Sequence, residues 1–228
     1  MRDRTLVTFA LRQEGYPFAR NLRRRTVKNG LILGLLGTRE TAVCWLGIGV
    51  ENADLFARRV AESQPRLVIN SGFAGGVRSL LEPGDFILAT NYSSQEVIEK
   101  LGTSNLFSAR GKLISVKRVA SPETKAQLGL DSNVLAIDME SERMTAVCRN
   151  MSVPYLTARM ISDRSDEAVP KLFIDHKIRA PGDILQAIQF AGRMLVLRER
   201  LAARLRRLID NINAGNPHRL RRTAPVQD

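Results

Sequence analysis

Leu135-Ala136-Ile137-Asp138-Met139-Glu140-Ser141 is followed, one helical segment later, by Thr157-Ala158-Arg159-Met160-Ile161-Ser162-Asp163. Each run is apolar with β-branched residues, and each ends on an acid. Residues 141–150, between them, read as a helix. Near-continuous apolar strands joined by a helix are the unit of a parallel, helix-covered sheet. In such sheets ligands bind outside the carboxyl ends of the strands. A carboxylate kept at the mouth of a buried strand is costly. Asp138, Glu140 and Asp163 are therefore candidate site residues, with Glu140 gripping a polar ligand and Asp163 moving a proton. The same spacing also suits acids that only cap the segments that follow.

The pattern extends along the chain. Residues 6–10, 41–46, 66–70, 86–89, 113–119, 134–137 and 155–161 read as strands. Residues 14–24, 52–63 and 122–128 read as helices, the last with Ser121 as its N-cap. Asn29-Gly30 signals a hairpin. Residues 91–111 are polar and weakly patterned, and read as loop with a helical turn or two. Residues 183–212 read as one long helix, with Ile184, Ile188, Ala191, Leu195, Leu201, Leu205, Leu208 and Ile212 at three- and four-residue steps, expected to pack on the sheet early and to project from it later. Its other face is rich in arginine. Gly215-Asn216-Pro217 ends it, and residues 215–228 are expected to be a disordered basic tail. The expected fold class is α/β: a single-domain, three-layer α/β/α sandwich with a largely parallel, twisted mixed sheet, over residues 1–214.

The 228 residues suffice for one α/β domain with a real core. Cys44 and Cys148 sit in apolar runs and read as small buried hydrophobes. With His176 and His218 the only histidines, the chain offers no zinc ligand set. The N-terminal residues lack the apolar run of a secretory signal. No segment reaches the roughly 20 apolar residues that span a bilayer, so a cytoplasmic protein is expected. The net charge of +12 comes from two regions. The stretch from Arg193 to the last residue supplies half of it, and a second cluster is Arg20, Arg23, Arg24, Arg25 and Lys28. Such patches attract anions. With aromatics at only 5% and none interleaved among the basic residues, nucleic acid is not an expected partner.

Ser71-Gly72-Phe73-Ala74-Gly75-Gly76 follows an apolar strand. Its missing Cβ atoms let backbone approach a ligand and its N–H groups can form an anion nest, although such a run after a strand more often marks a tight turn than a binding loop. It is neither a dinucleotide fingerprint nor a Walker loop, because glycine spacing and a Gly-Lys-Ser/Thr step are both missing.

Taken together, Leu67-Val68-Ile69-Asn70-Ser71-Gly72-Phe73-Ala74-Gly75-Gly76, Pro83-Gly84-Asp85, Asp138-Met139-Glu140-Ser141 and Arg159-Met160-Ile161-Ser162-Asp163 resemble the purine nucleoside phosphorylase superfamily. Within it the chain looks like the methylthioadenosine/S-adenosylhomocysteine nucleosidase branch. Val119-Ala120-Ser121-Pro122-Glu123-Thr124-Lys125-Ala126, with a proline after the Asp163 loop, is similar to hopanoid-associated phosphorylases, which act on adenosylhopane.

The resemblance implies a nucleoside phosphorylase-like fold and cleavage of a purine N-glycosidic bond, with no cofactor beyond phosphate as a candidate co-substrate. Asp163 would be the general acid that protonates the departing base, and Ser162 would steady it. Glu140 and the Met139 backbone would hold the ribose. Glu14 would orient the attacking water and Arg159 would help to hold that nucleophile. Gly72 and Phe73 line the nucleophile side, although nucleosidases commonly carry a serine where Phe73 stands. The family's base-stacking aromatic falls near Lys117-Arg118, which makes Arg118 and Val119 base-site candidates, the guanidinium stacking on the purine. Arg12, Arg78 and Arg159 are the cations available to a phosphate. A carboxylate at Glu14 would repel a phosphate dianion and so favours water. Residues 91–111 are shorter than the corresponding cover in small-nucleoside nucleosidases, which fits a bulky 5′ substituent. The implied partners are a purine nucleoside and a second copy of the chain, a dimer first of all. The basic C-terminal helix suggests peripheral contact with an acidic membrane.

Overall fold

The computed structural model describes residues 3–50, 53–170, 172 and 181–214. Among them, nine strands build one sheet: β1 (Arg4–Phe9), β2 (Arg23–Lys28), β3 (Leu31–Leu36), β4 (Arg39–Trp45), β5 (Leu67–Gly76), β6 (Phe86–Ala89), β7 (Ala109–Ser115), β8 (Val134–Asp138) and β9 (Tyr155–Asp163). The helices are α1 (Arg12–Ala19), α2 (Ala53–Ser63), α3 (Gln95–Leu101), α4 (Pro122–Leu128), α5 (Ser141–Asn150) and α6 (Pro181–Ala214). Strand order is β2-β3-β4-β1-β5-β8-β7-β6-β9, and β9 also pairs with β5. The β5, β8, β7, β6 and β9 strands thus close into a ring beside an open half-sheet. Parallel pairs (β1–β4, β1–β5, β5–β9, β6–β7, β7–β8) mix with antiparallel ones. This is the expected α/β class with a mixed sheet.

Alternation along the strands sends successive side chains to opposite faces. Val7, Phe9, Ile69 and Leu156 pack beneath α1, α3 and α6. Leu6, Cys44 and Val68 pack beneath α2 and α5 through Phe56, Val60, Met144 and Cys148. Ala74, Ile87, Leu113, Ala136 and Ile161 fill the ring. Both cysteines are free and buried, and burial pushes each thiol up to about 12.

Several local expectations hold. Asn29 and Gly30 adopt φ of 50° and 71°, the left-handed pair of a two-residue hairpin, and join β2 to β3. Ser121 Oγ accepts the Thr124 N–H at 3.3 Å and caps α4.

Others need correcting. The helix expected over residues 14–24 stops at Ala19, and Arg23, Arg24 and Arg25 belong to β2. All six β2 residues are exposed on the outermost strand. Charged side chains on an open edge block further strand pairing, which accounts for Arg23, Arg24, Arg25 and Lys28 of the second basic cluster, whereas Arg20 follows α1 and pairs with Glu199. The glycine run is the second half of β5 rather than a loop, because β9 pairs along it and β8 takes Gly75 and Gly76. Residues 91–111 hold all of α3 and the start of β7. The strand expected over residues 113–119 is β7, ending at Ser115.

The long C-terminal helix exists, but the expected order of packing is reversed: its later turns join the core and its earlier turns carry the exposed apolar residues. Leu201, Leu205, Leu208 and Ile212 are buried, whereas Ile184, Ile188 and Leu195 are exposed. The expected helix stop at residues 215–217, the tail to 228 and both histidines lie outside the described residues. Among the described residues, no helix is long and apolar enough to cross a membrane.

Candidate active site

The carboxyl ends of β5, β8 and β9 meet the first turn of α1 around a cavity of about 200 Å³, at the strand ends where α/β sheets bind ligands. Glu14 from α1, Glu140 from the turn before α5, and Arg159 and Asp163 from β9 all line it.

The α1 end is built by a turn that folds back on itself. Glu14 Oε2 accepts the Leu11 N–H at 3.2 Å, the returning half of a capping box. That bond fixes the carboxyl against Gly72. Burial raises Glu14 to about 7; the Leu11 N–H and the Arg159 charge work against this, and the Glu140 charge adds to it. Gly72 has φ of 142°, and a Cβ there would lie 3.2 Å from Arg159 Nη1 and 3.3 Å from Glu14 Oε2. The missing side chain is what lets a carboxyl and a guanidinium face one notch. Phe73 lines the cavity and packs against the core cluster containing Phe9 and Phe18. Ser71, one residue before Gly72, is fully buried and its Oγ has no hydrogen-bond partner among the described residues.

The centre is a buried charge network. Arg159 is 1% exposed. Its Nε and Nη2 reach Asp138 Oδ2 at 2.9 and 2.8 Å, with Ser141 Oγ at 3.3 Å and Glu140 Oε2 at 3.7 Å. Asp138 also accepts the Ser141 N–H at 3.2 Å and so caps α5. The capping role fits Asp138, then, and not Glu140. Glu140 Oε1 takes the Gly49 N–H at 2.9 Å, in a turn where Gly49 has φ of 69°. Burial raises the pKa of Glu140 and the Asp138 charge adds to this, while Arg159 opposes it.

The far end holds Asp163, Ser162 and Lys125. Asp163 is 3% exposed, as dry as expected, but it is not alone. Lys125 is 1% exposed, and its Nζ donates to Asp163 Oδ2, to the Arg164 carbonyl at 2.8 Å and to the Glu167 carbonyl at 2.7 Å. Three acceptors use all three protons of an ammonium. The strand end expected to hold the general acid thus holds a buried lysine against Asp163 as well. Ser162 Oγ bonds Asp163 Oδ1 and lies 3.2 Å from the Ala74 carbonyl.

The cavity gathers Glu14, Gly72, Phe73, Val119, Met139, Glu140, Arg159, Ser162 and Asp163 of the expected set. Arg118 is outside it: the residue is exposed and absent from the lining, because β7 ends early and the chain presents Val119 and Ala120 instead. Of the cations weighed for phosphate, Arg12 is exposed on α1 and Arg78 bonds the Gly129 carbonyl, so only Arg159 faces the cavity. Sequence reasoning missed Lys125. Among the described residues, no three His, Cys, Asp or Glu side chains are placed to hold a metal ion.

Residues 7–130 match the profile of the phosphorylase superfamily. The chain belongs to that family. This phosphorylase-superfamily member is 28% identical over 167 residues to a 5′-methylthioadenosine/S-adenosylhomocysteine nucleosidase from Exiguobacterium sp., covering 59% of this chain and 72% of the relative. The fold is shared with the nucleosidase of that name from Helicobacter pylori (TM-score 0.70, 18% identity, 91% of this chain and 98% of the other). It is shared also with the S-adenosylhomocysteine nucleosidase of Streptococcus pyogenes (0.71, 19%, 91% and 96%) and the futalosine hydrolase of Helicobacter pylori (0.69, 18%, 91% and 97%).

Proposed function

We propose that the protein hydrolyses the N-glycosidic bond of an adenosine-type purine nucleoside. One observation carries this reading: Glu14, Glu140, Arg159 and Asp163 converge on one cavity. The likeness to nucleosidases supports it. Glu140 accepts hydrogen bonds from the ribose hydroxyls, and its charge favours the cation that develops on the sugar. The C1′–N9 bond breaks with its electron pair leaving on the purine, and Asp163, steadied by Ser162, hands a proton to N7. Water held in the Gly72 notch by Glu14 and Arg159 adds to C1′, and Glu14 takes its proton. A base poised near neutrality suits that last step.

Water is favoured over phosphate because Glu14 occupies the notch and Arg159 is the sole cation facing it among the described residues. Phe73 cannot hydrogen-bond a nucleophile, and Gly72 leaves the room for one. The experiment is adenine release from adenosine, methylthioadenosine and a 5′-alkyl adenosine, with and without phosphate. Release should occur without phosphate and should rise with pH through about 7 as Glu14 loses its proton. Release only with phosphate would make the reaction a phosphorolysis. Binding without release would leave a nucleoside-binding protein.

The rim favours an apolar 5′ group. Ile48 and Val119 are 51% and 42% exposed there, beside Leu11, Met139 and Val169. Such a rim fits a lipid-linked nucleoside such as adenosylhopane. Ile184, Leu185, Ile188, Leu195 and Val196 form a further exposed apolar stripe on one side of α6. Exposed stripes of this kind mark association surfaces, and we read this one as the face covered by a second copy of the chain. Sedimentation equilibrium should give the mass of a dimer. A monomer that pellets with phosphatidylserine vesicles would assign the stripe to an acidic lipid surface, and a monomer that ignores them would remove both readings.

A further inference from the structure

We propose that Lys125 is a positioning residue that works through Asp163, storing the proton that the departing purine receives. The inference rests on the nucleosidase reading above and deepens it.

A lysine is almost never fully buried unless paired. A buried ion pair is also weak evidence of stability, since apolar residues of similar size often serve as well. Lys125 is nonetheless among the largest wholly buried side chains of the protein. It stands beside the strand glycine Gly75, where a Cβ would lie 3.1 Å from Asp163 Oδ2 and 3.4 Å from Lys125 Cε. The backbone gives way at the point where carboxylate and ammonium meet.

The other Asp163 oxygen faces a hydroxyl with two acceptors and one proton. With Asp163 as carboxylate, Ser162 Oγ donates to Oδ1. With Asp163 as carboxylic acid, Oδ1–H donates to Ser162 Oγ, which turns its own proton to the Ala74 carbonyl 3.2 Å away. Lys125, Asp163 and Ser162 thus accommodate either charge state without moving a heavy atom. During cleavage a proton passes from Nζ to the Asp163 carboxylate, and Asp163 passes a proton to N7. One N–H bond breaks at Lys125 and one forms at N7. The C1′–N9 electron pair stays with the base, and the lysine, left as an amine, regains its proton from water after the base departs.

The other charged groups are accounted for. Glu14, Asp138, Glu140 and Arg159 line the same cavity. Outside it, Arg164 pairs with Glu82 and Asp166, and Glu167 pairs with Arg193 of α6.

The test compares wild type, Lys125→Met and Lys125→Arg on an adenosine nucleoside and on 4-nitrophenyl β-D-riboside, whose leaving group needs no proton. For Lys125→Met relative to wild type, adenine release should be near normal at pH 6, where solvent protons are plentiful enough to stand in for the stored one. It should fall by about 10²-fold at pH 8.5, while nitrophenol release stays within about threefold. Arginine keeps the charge but cannot give up its proton, so Lys125→Arg should fail to restore adenine release. Equal loss on both substrates, a deficit that ignores pH, or full rescue by Lys125→Arg would overturn the proposal. If wild type releases no base, the nucleosidase reading fails by itself. The carboxyl ¹³C signal of Asp163 in the free protein still decides on the proton store: it should titrate differently with and without Lys125, and identical titration would overturn it.

Discussion

Asp163→Asn is expected to lose at least about 10²-fold in adenine release while still binding the nucleoside. The amide keeps the size of the carboxyl and can still hydrogen-bond a purine, but it has no proton to give. Single-turnover release of adenine, set beside 4-nitrophenyl riboside cleavage, isolates that term. The second substrate should react almost normally if the fold is intact. The substitution also leaves the buried Lys125 ammonium facing a neutral group. Removing one partner of a buried pair costs about 3–5 kcal/mol, so Asp163→Asn should unfold at lower urea. The double variant with Lys125→Met should recover much of that loss and none of the adenine release. Undiminished turnover by Asp163→Asn would remove Asp163 as the acid.

Arg159→Met should be the most destabilising single change in the site, by about 3–5 kcal/mol, a large share of the roughly 5–15 kcal/mol that holds an ordinary domain together. The guanidinium is the shared counter-charge of Asp138 and Glu140. Without it, two buried carboxylates face each other with only Ser115, Ser141 and backbone N–H groups as partners. Urea unfolding followed by circular dichroism measures the loss. The deficit should narrow at pH 5, where stranded carboxylates take up protons. An unfolding midpoint equal to wild type at pH 7.5 would show that Arg159 is not the group balancing those acids.

Much of this architecture is legible in the sequence because local chemistry and tertiary demand agree. The runs ending at Asp138 and Asp163 are largely buried and therefore mainly apolar, with acids only where the strands stop. Asn29-Gly30 and Ser121-Pro122 name their own turn and cap. Elsewhere the deciding partner is distant. Arg23, Arg24 and Arg25 have no strand-like alternation, and only β3 makes them a strand. Gly72, Gly75 and Gly76 look like a loop until β8 and β9 take up their edges. The period of α6 identifies an apolar stripe but not how far the sheet extends beneath it, so Ile184 and Leu201 look alike and end up on opposite sides of the water boundary. Lys125 lies 38 residues from Asp163. In a short polar helix it looks like any solvated lysine, and the contact that gives it meaning is invisible until the chain is folded.

Under the proposed hydrolysis, anyone wishing to retrain this scaffold on alcohols, thiols or amines as acceptors would find the attacking group's seat written into main chain. A side chain at Gly72 would require a left-handed backbone that L residues rarely adopt, and its first carbon would press on both Arg159 and Glu14. The chamber can be enlarged only from its far walls, so new acceptor chemistry would have to be selected at Phe73 or along α1, with the glycine left untouched.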